Sequence, residues 1–155
     1  MSMNTVPERL AALRTAMAAN GVAVYLIPVG DPHASEYLPD HYTSLTWFSG
    51  FHGENSTFVV TRTESALWAD GRYFVQAEKE IAGTEIKLQR MGEPGVPTVE
   101  EYCAAALSEG EVLGLCGLTA ATALVGKLEK ALAKKGASIK TLNLEDELWT
   151  EGRPA

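Results

Sequence analysis

Two short segments of this chain hold most of the side chains whose types and spacing suit chemistry. The first contains His33, Ser35, Glu36 and Tyr37, which bring an imidazole, a hydroxyl, a carboxylate and a phenol close together. Groups of these kinds act as general acids, general bases and hydrogen-bond donors to a substrate. They follow Asp31-Pro32, just beyond an apolar run, so we expect them past the carboxyl end of the first strand, where open α/β sheets form ligand crevices. A short capped helix with a surface carboxylate explains the same residues equally well.

The second segment contains Asp70, Arg72 and Tyr73, directly after another apolar run. The carboxylate of Asp70 is suited to cap a helix that starts at Gly71, because it accepts bonds from backbone N–H groups there. The functional alternative is that Arg72 and Tyr73 project from an exposed helix start into a cleft or a partner surface. Arg and Tyr are the residue types that most often anchor interfaces. The residues themselves leave both interpretations open.

No complete catalytic or metal-binding set accompanies these candidates. The three histidines, His33, His41 and His52, match no ligand spacing, and the HExxH pattern is absent. Neither a G-x-S-x-G nucleophile turn nor a glycine-rich phosphate loop occurs. A small hydrolase using His33 and Glu36 would lack a nucleophile and a metal. We therefore expect no catalysis, no metal and no cofactor in this chain alone.

The composition narrows the class of partner. A chain of 155 residues suits one domain with a real core, and its net charge of −7 comes without the Lys/Arg stripe that nucleic acid requires. No apolar stretch approaches the roughly 20 residues that span a bilayer, and no secretory leader precedes the first helix. Two cysteines with the pattern of buried thiols fit a reducing compartment. The sequence thus predicts a cytoplasmic protein that binds neither nucleic acid nor membrane.

The hydrophobic pattern supplies the elements that would position the candidates. Strands alternate with helices after an initial hairpin, which predicts an α/β domain with a mixed β-sheet of about five to six strands and flanking helices. Residues 1–152 form this domain, and 153–155 begin a linker to a following domain. The stretch 28–55 lacks a period and is predicted as a long loop. The predicted strands are 22–27, 57–61, 66–69, 85–90, 112–116 and a last one near 139–144, and the predicted helices are 5–19, 72–81, 98–107 and 119–135, the last with Lys127, Lys130, Lys134 and Lys135 on its wet face.

Several ordered segments resemble one known family. The chain is similar to the N-terminal domain of the creatinase/prolidase/Xaa-Pro aminopeptidase family, in its aminopeptidase P branch. Each short motif alone is weak, but five in the same order are specific. The segments are Asp31-Pro32-His33 with Ser35-Glu36-Tyr37, Phe48-Ser49-Gly50-Phe51, Leu67-Trp68 with Asp70-Gly71-Arg72-Tyr73-Phe74, Met91-Gly92 with Pro94-Gly95-Val96-Pro97-Thr98, and Arg153-Pro154.

The resemblance implies a non-catalytic domain that forms part of the substrate-cleft wall and of a dimer contact. The parent enzyme would release the N-terminal residue ahead of proline, using two divalent metals, usually manganese, in a C-terminal catalytic domain absent from this chain. Its partners would be that catalytic domain, a second copy of itself and a peptide with proline second. The cleft or interface candidates remain the seven residues of the two segments. The alternatives are the N-terminal domain of a prolidase or creatinase, and a stand-alone interaction module of the same fold.

Overall fold

The computed structural model of the chain describes residues 5–28, 44–51, 56–69, 71–115 and 122–142, together with Leu144 and Leu148. These residues form an α/β domain whose mixed six-stranded sheet has helices on both faces, which confirms the predicted fold class. The helices are α1 Val6–Ala19, α2 Ser44–Ser49, α3 Phe74–Glu80, α4 Val99–Ala106 and α5 Thr122–Ala133, with a 3-10 turn at Gly71–Tyr73. The strands are β1 Val24–Pro28, β2 Thr57–Thr61, β3 Ser65–Ala69, β4 Lys87–Arg90, β5 Val112–Leu115 and β6 Ser138–Thr141.

The strand directions bring most strand ends to one edge of the sheet. The spatial order is β4-β3-β2-β1-β5-β6, and only β2 runs against its neighbours. Five strands therefore end at the edge where β2 begins, which we call the carboxyl edge. Pro28 pairs with Thr57, and Thr57 pairs with Trp68 near the end of β3. The last residues of β1 and β3 are thus two strand spacings apart, roughly 10 Å.

The sheet is covered on both faces, and β1 shows this most directly. Tyr25 and Ile27 point into the core beneath α1, α2 and α3, whereas Val24 and Leu26 point into the core beneath α4 and α5. All four side chains are buried. The continuous apolar run in the sequence predicted such a strand, since alternate residues face opposite sides. The prediction is confirmed.

Helices α1 and α2 contact each other and pack over the same core of the sheet. Thr5 caps α1 by accepting a bond from the Glu8 amide at 3.3 Å, and the apolar side chains of α1 lie in the core. Arg9 donates from Nη1 to the carbonyl oxygen of Trp47 at 2.7 Å, and its guanidinium carbon lies 4.4 Å from the centre of the Trp47 ring. A hydrogen bond and a cation–π contact therefore hold the two helices together.

The main departure from the predicted elements is α2, which lies within the stretch predicted as a loop. Six residues are too few to show a helical period, so the hydrophobic pattern could not reveal it. Its order comes from tertiary contacts, because Phe48 and Phe51 are fully buried. Ser49 donates to the carbonyl oxygen of Leu45 at 2.6 Å and accepts from the Phe51 amide at 3.1 Å.

Other element bounds differ by a few residues from those predicted. The helix predicted from Arg72 starts as a 3-10 turn and becomes α-helical at Phe74. The strand predicted from Glu85 starts at Lys87, because the Thr84 hydroxyl accepts a bond from the Ile86 amide at 3.3 Å and holds a turn there. The predicted capping box at Thr98 is confirmed. The four lysines that were predicted on the solvent-facing side of the last helix lie in α5 or just after it, and all four are exposed.

Candidate functional site at the carboxyl edge

The structure places only part of the predicted site. His33, Ser35, Glu36 and Tyr37 lie outside the described residues, and so does Asp70. The strands that precede the two segments, β1 and β3, end at the same carboxyl edge. For Arg72 the backbone is described, within the 3-10 turn after β3, and its side chain is not. Tyr73 is the one candidate among them whose side chain the structure describes.

Tyr73 joins the start of α3 to the core. Its ring meets the ring of Phe51 edge to face, with centroids 6.1 Å apart and planes at 85°. Phe51 is fully buried, and Tyr73 is half-buried against the same core. Such aromatic pairs stabilise by about 1 kcal/mol beyond burial itself. Tyr73 therefore has a packing role, and its contact with a substrate or partner stays a prediction.

The adjoining surface of α3 combines an apolar and a cationic group. Val75 is 66% exposed, and it is the one large aliphatic or aromatic side chain that the described part of the chain leaves exposed. Beside it, the Arg90 guanidinium lies 5.5 Å from the centre of the Phe74 ring and pairs with Glu78. Of these residues, arginine is a type that often anchors protein interfaces. This surface begins at Phe74, two residues after Arg72 in the chain.

A further feature at the carboxyl edge was not selected as a site from the sequence. It is the segment Met91–Thr98, which follows β4 and which the sequence used only for the family resemblance. The Met91 amide donates to the carbonyl oxygen of Ala69 at 3.0 Å, so the segment begins beside the end of β3. Two glycines and two prolines in eight residues were the available signal, and they indicated only a turn.

Two glycines let this segment turn sharply. Gly92 and Gly95 have φ values of +86° and +82°, in the left-handed region that other residues rarely adopt. The turn is then tied back to the sheet, because Trp68 Nε1 donates to the carbonyl oxygen of Pro97 at 2.9 Å. The segment therefore forms a sharp turn that is fixed to the sheet beside the end of β3.

Two carboxylates at the opposite edge of the sheet have lowered pKa values. Arg14 holds Glu85 with two hydrogen bonds of 2.7 and 2.6 Å, and Ser65 adds one of 3.0 Å. The hydrogen bonds from Arg14 lower the pKa of Glu85, although partial burial opposes them. The hydrogen bond from Lys87 at 2.7 Å lowers the pKa of Glu64. These shifts come from structural ion pairs, so they do not mark an active site.

Tyr102 and Cys103 also have shifted pKa values for structural reasons. Burial, with a hydrogen bond donated to Glu64, raises the pKa of the Tyr102 phenol. Burial raises the pKa of the Cys103 thiol, which is fully enclosed in the core. A thiol in this state is a poor nucleophile. Cys103 is therefore a core residue of α4.

The described residues offer no ligand set for a metal. Among them there is no group of three or more His, Cys, Asp or Glu side chains that could hold a metal ion. No helix in the described ranges is both long and apolar enough to cross a membrane.

The comparisons with known proteins agree with this fold. The family model described as "Creatinase/Prolidase N-terminal domain" matches residues 9–148. Aminopeptidase P2 of Arabidopsis thaliana is 39% identical over 154 residues, which is 96% of this chain and 22% of the relative. The solved X-prolyl aminopeptidase of Caenorhabditis elegans, described as cytosolic with a di-nuclear active site, superposes with a TM-score of 0.88 at 35% identity over 99% of this chain and 26% of that one.

A smaller solved structure matches in extent as well as in fold. It is the N-terminal domain of a cytoplasmic peptidase from Mycobacterium tuberculosis, with a TM-score of 0.63, 23% identity, and 90% of this chain aligned to 95% of that one. At this identity the likeness shows the fold alone. By contrast, the chain spans about a quarter of the length of the Arabidopsis and C. elegans aminopeptidases. With its six-stranded mixed sheet and a family match over nearly its whole length, the chain belongs to the creatinase/prolidase N-terminal domain family.

Proposed function

We propose that the chain acts as the non-catalytic N-terminal domain of a dimetal Xaa-Pro aminopeptidase, whose parent enzyme releases the N-terminal residue ahead of proline. In this role it forms part of the substrate-cleft wall and part of a homodimer contact, and the parent works in the cytoplasm. The observation that carries the proposal is the likeness to the C. elegans enzyme, at 35% identity and a TM-score of 0.88. The prolidase alternative is weaker, because the likeness to a Bacillus anthracis Xaa-Pro dipeptidase has 18% identity and a TM-score of 0.64.

The proposal assigns the metals to residues outside this chain. The C. elegans relative is described with a di-nuclear active site, whereas the described residues here offer no cluster of ligands. Two divalent ions, with manganese as the expected metal, would polarise the scissile carbonyl and supply a nucleophilic hydroxide. The 155 residues would instead contribute shape, through the carboxyl edge of the sheet and the surface of α3. Their partners are a catalytic domain, a second copy and a peptide with proline second.

The first test separates the chain from the parent activity. The purified chain, with added manganese, should not cleave the Arg–Pro bond of Arg-Pro-Pro. A chimera in which this chain replaces the matching quarter of the C. elegans enzyme should cleave the peptide, and the same enzyme with that quarter deleted serves as the control. Cleavage by the chain alone would contradict the proposal. So would a chimera that is folded by circular dichroism but inactive.

A second test addresses Arg72, which the sequence places at the start of the helix after β3. In the chimera, Arg72→Ala should weaken dimer formation or raise KM by about fivefold, the weight of a modest interface anchor. Lys79→Ala is the matched control, because Lys79 is an exposed cation elsewhere on α3. Gel filtration and initial rates give the two readouts. Unchanged assembly and kinetics in Arg72→Ala would remove Arg72 from the interface.

A further inference from the structure

A cleft of about 600 Å³ lies between the segment Met91–Thr98 and helices α4 and α5. Pockets of roughly 300–1,000 Å³ are the size that encloses small ligands. The wall is largely apolar, because most of the side chains that line it are hydrocarbon, thioether or indole groups. These are Trp68, Met91, Val96, Pro97 and Val99.

The described contacts hold the cleft in shape without a ligand. The Trp68–Pro97 hydrogen bond joins its floor to its rim. Thr98 and Glu101 form a reciprocal capping box, with bonds of 3.1 and 3.2 Å, that fixes where the rim enters α4. A preformed pocket costs little conformational entropy when a ligand binds.

Two opposite charges border this apolar cleft. Glu100 comes from the first turn of α4 and Lys127 comes from the middle of α5, and both line it. Neither side chain forms a hydrogen bond or an ion pair with any residue of the described ranges, and the two do not form an ion pair with each other. A third lining residue, Glu93, differs because its carboxylate lies 3.9 Å from Arg90. The cleft thus offers one carboxylate and one ammonium that no described neighbour neutralises.

We propose that this cleft binds a short zwitterionic peptide with an apolar side chain. The apolar side chain would occupy the pocket of Val96, Pro97 and Val99, the free amino group would pair with Glu100, and the free carboxylate would pair with Lys127. Solvent-accessible ion pairs contribute modestly, so the apolar contact supplies most of the affinity and the two charges supply selectivity for free termini. This binding does not depend on the proposed function, since it concerns a cleft built wholly by this chain.

The test is an NMR titration of the ¹⁵N-labelled 155-residue chain with the dipeptide Leu-Phe. We expect saturable shifts of the Gly92 and Gly95 amides and of the Trp68 indole N–H. N-acetyl-Leu-Phe, which lacks the cation, and Leu-Phe amide, which lacks the anion, should each bind about fivefold more weakly. Glu100→Gln and Lys127→Met should weaken Leu-Phe binding by a similar factor.

Two exposed residues of α5 that do not line the cleft supply matched controls. Glu129→Gln and Lys130→Met remove the same charges and should leave the affinity unchanged. Three results would each overturn the proposal: no saturation up to the solubility limit of the peptide, equal binding of the capped peptides, or equal weakening by the control variants. Because this assay measures no hydrolysis, its outcome is separate from that of the chimera.

Discussion

Trp68 and Pro97 are joined by a hydrogen bond of 2.9 Å from the indole nitrogen to the backbone carbonyl oxygen. The indole is almost fully buried, and its ring meets that of Tyr102 edge to face with centroids 5.1 Å apart. One side chain of β3 therefore connects the sheet, the segment after β4 and helix α4. This connection shapes the carboxyl edge and the cleft beside it.

Replacing this side chain should destabilise the domain. Trp68→Phe removes the hydrogen bond to Pro97 and leaves a small void, which together should lower the free energy of unfolding by about 2 kcal/mol. Urea unfolding followed by circular dichroism measures the change. Val75→Ala is the control, because an exposed side chain should change stability by no more than about 0.5 kcal/mol. A Trp68→Phe protein as stable as the wild type would show that the bond contributes nothing net.

The Arg14–Glu85 pair should make stability depend on pH. Hydrogen bonds from Arg14 lower the pKa of Glu85 in the folded state, so this contribution is present above the unfolded pKa and is lost as the pH falls through the folded one. Glu85→Gln should therefore flatten the loss of stability from about pH 5 to pH 3. Both side chains are partly exposed, so the difference should be about 1 kcal/mol or less.

The same pH series has a matched control in Glu129→Gln. Glu129 is exposed on α5 and forms no ion pair with the residues that the structure describes. Its replacement should give the same pH dependence as the wild type. If Glu85→Gln also followed the wild-type curve, the Arg14–Glu85 pair would make no electrostatic contribution to the free energy of unfolding.

Two glycines should respond to alanine in opposite directions. A Cβ at Gly114 in β5 would lie 2.8 Å from a Leu142 methyl carbon and 3.0 Å from one of Val22, so Gly114→Ala should destabilise by about 2 kcal/mol. Gly126 in α5 has open space around that position, and Gly126→Ala should stabilise by up to about 1 kcal/mol. Thermal unfolding of the two variants compares them directly. Equal shifts would contradict the crowding at Gly114.

Tyr25 should stabilise the segment that directly follows β6. Its hydroxyl donates to the carbonyl oxygen of Leu142 at 3.3 Å and accepts from the Leu144 amide at 3.2 Å. Tyr25→Phe leaves the Leu142 carbonyl and the buried Leu144 amide without this partner and should cost about 1–2 kcal/mol. Hydrogen exchange of the Leu144 amide should also become faster. Unchanged protection of that amide would show that another group satisfies it.

Local patterns in the sequence were sufficient for most elements. Leu10, Leu13 and Met17 recur at helical spacing and are buried on α1, and Thr98 with Glu101 has the spacing of the capping box that forms. The unbroken apolar run of β1 indicated burial on both faces. These inferences succeed because a helix period, a cap and a strand alternation each depend on residues within about one turn or strand of one another.

The site was predictable only as sequence segments. The types of His33 and Arg72 and their places after apolar runs suggested two candidate segments, and the register shows that the preceding strands, β1 and β3, end at one edge of the sheet. The individual roles of the seven candidates remain predictions. The sequence did not predict the segment Met91–Thr98 as part of a site, because its glycines and prolines indicate a turn but carry no functional group.

By itself the sequence determined the α/β class, the family resemblance and the extent of most helices and strands. Only the tertiary structure decided the strand order, the helix Ser44–Ser49, the Arg14–Glu85 pair and the Trp68–Pro97 bond. The last two join residues 71 and 29 positions apart. Contacts at such separation depend on how the sheet assembles as a whole, and no local period or spacing records them.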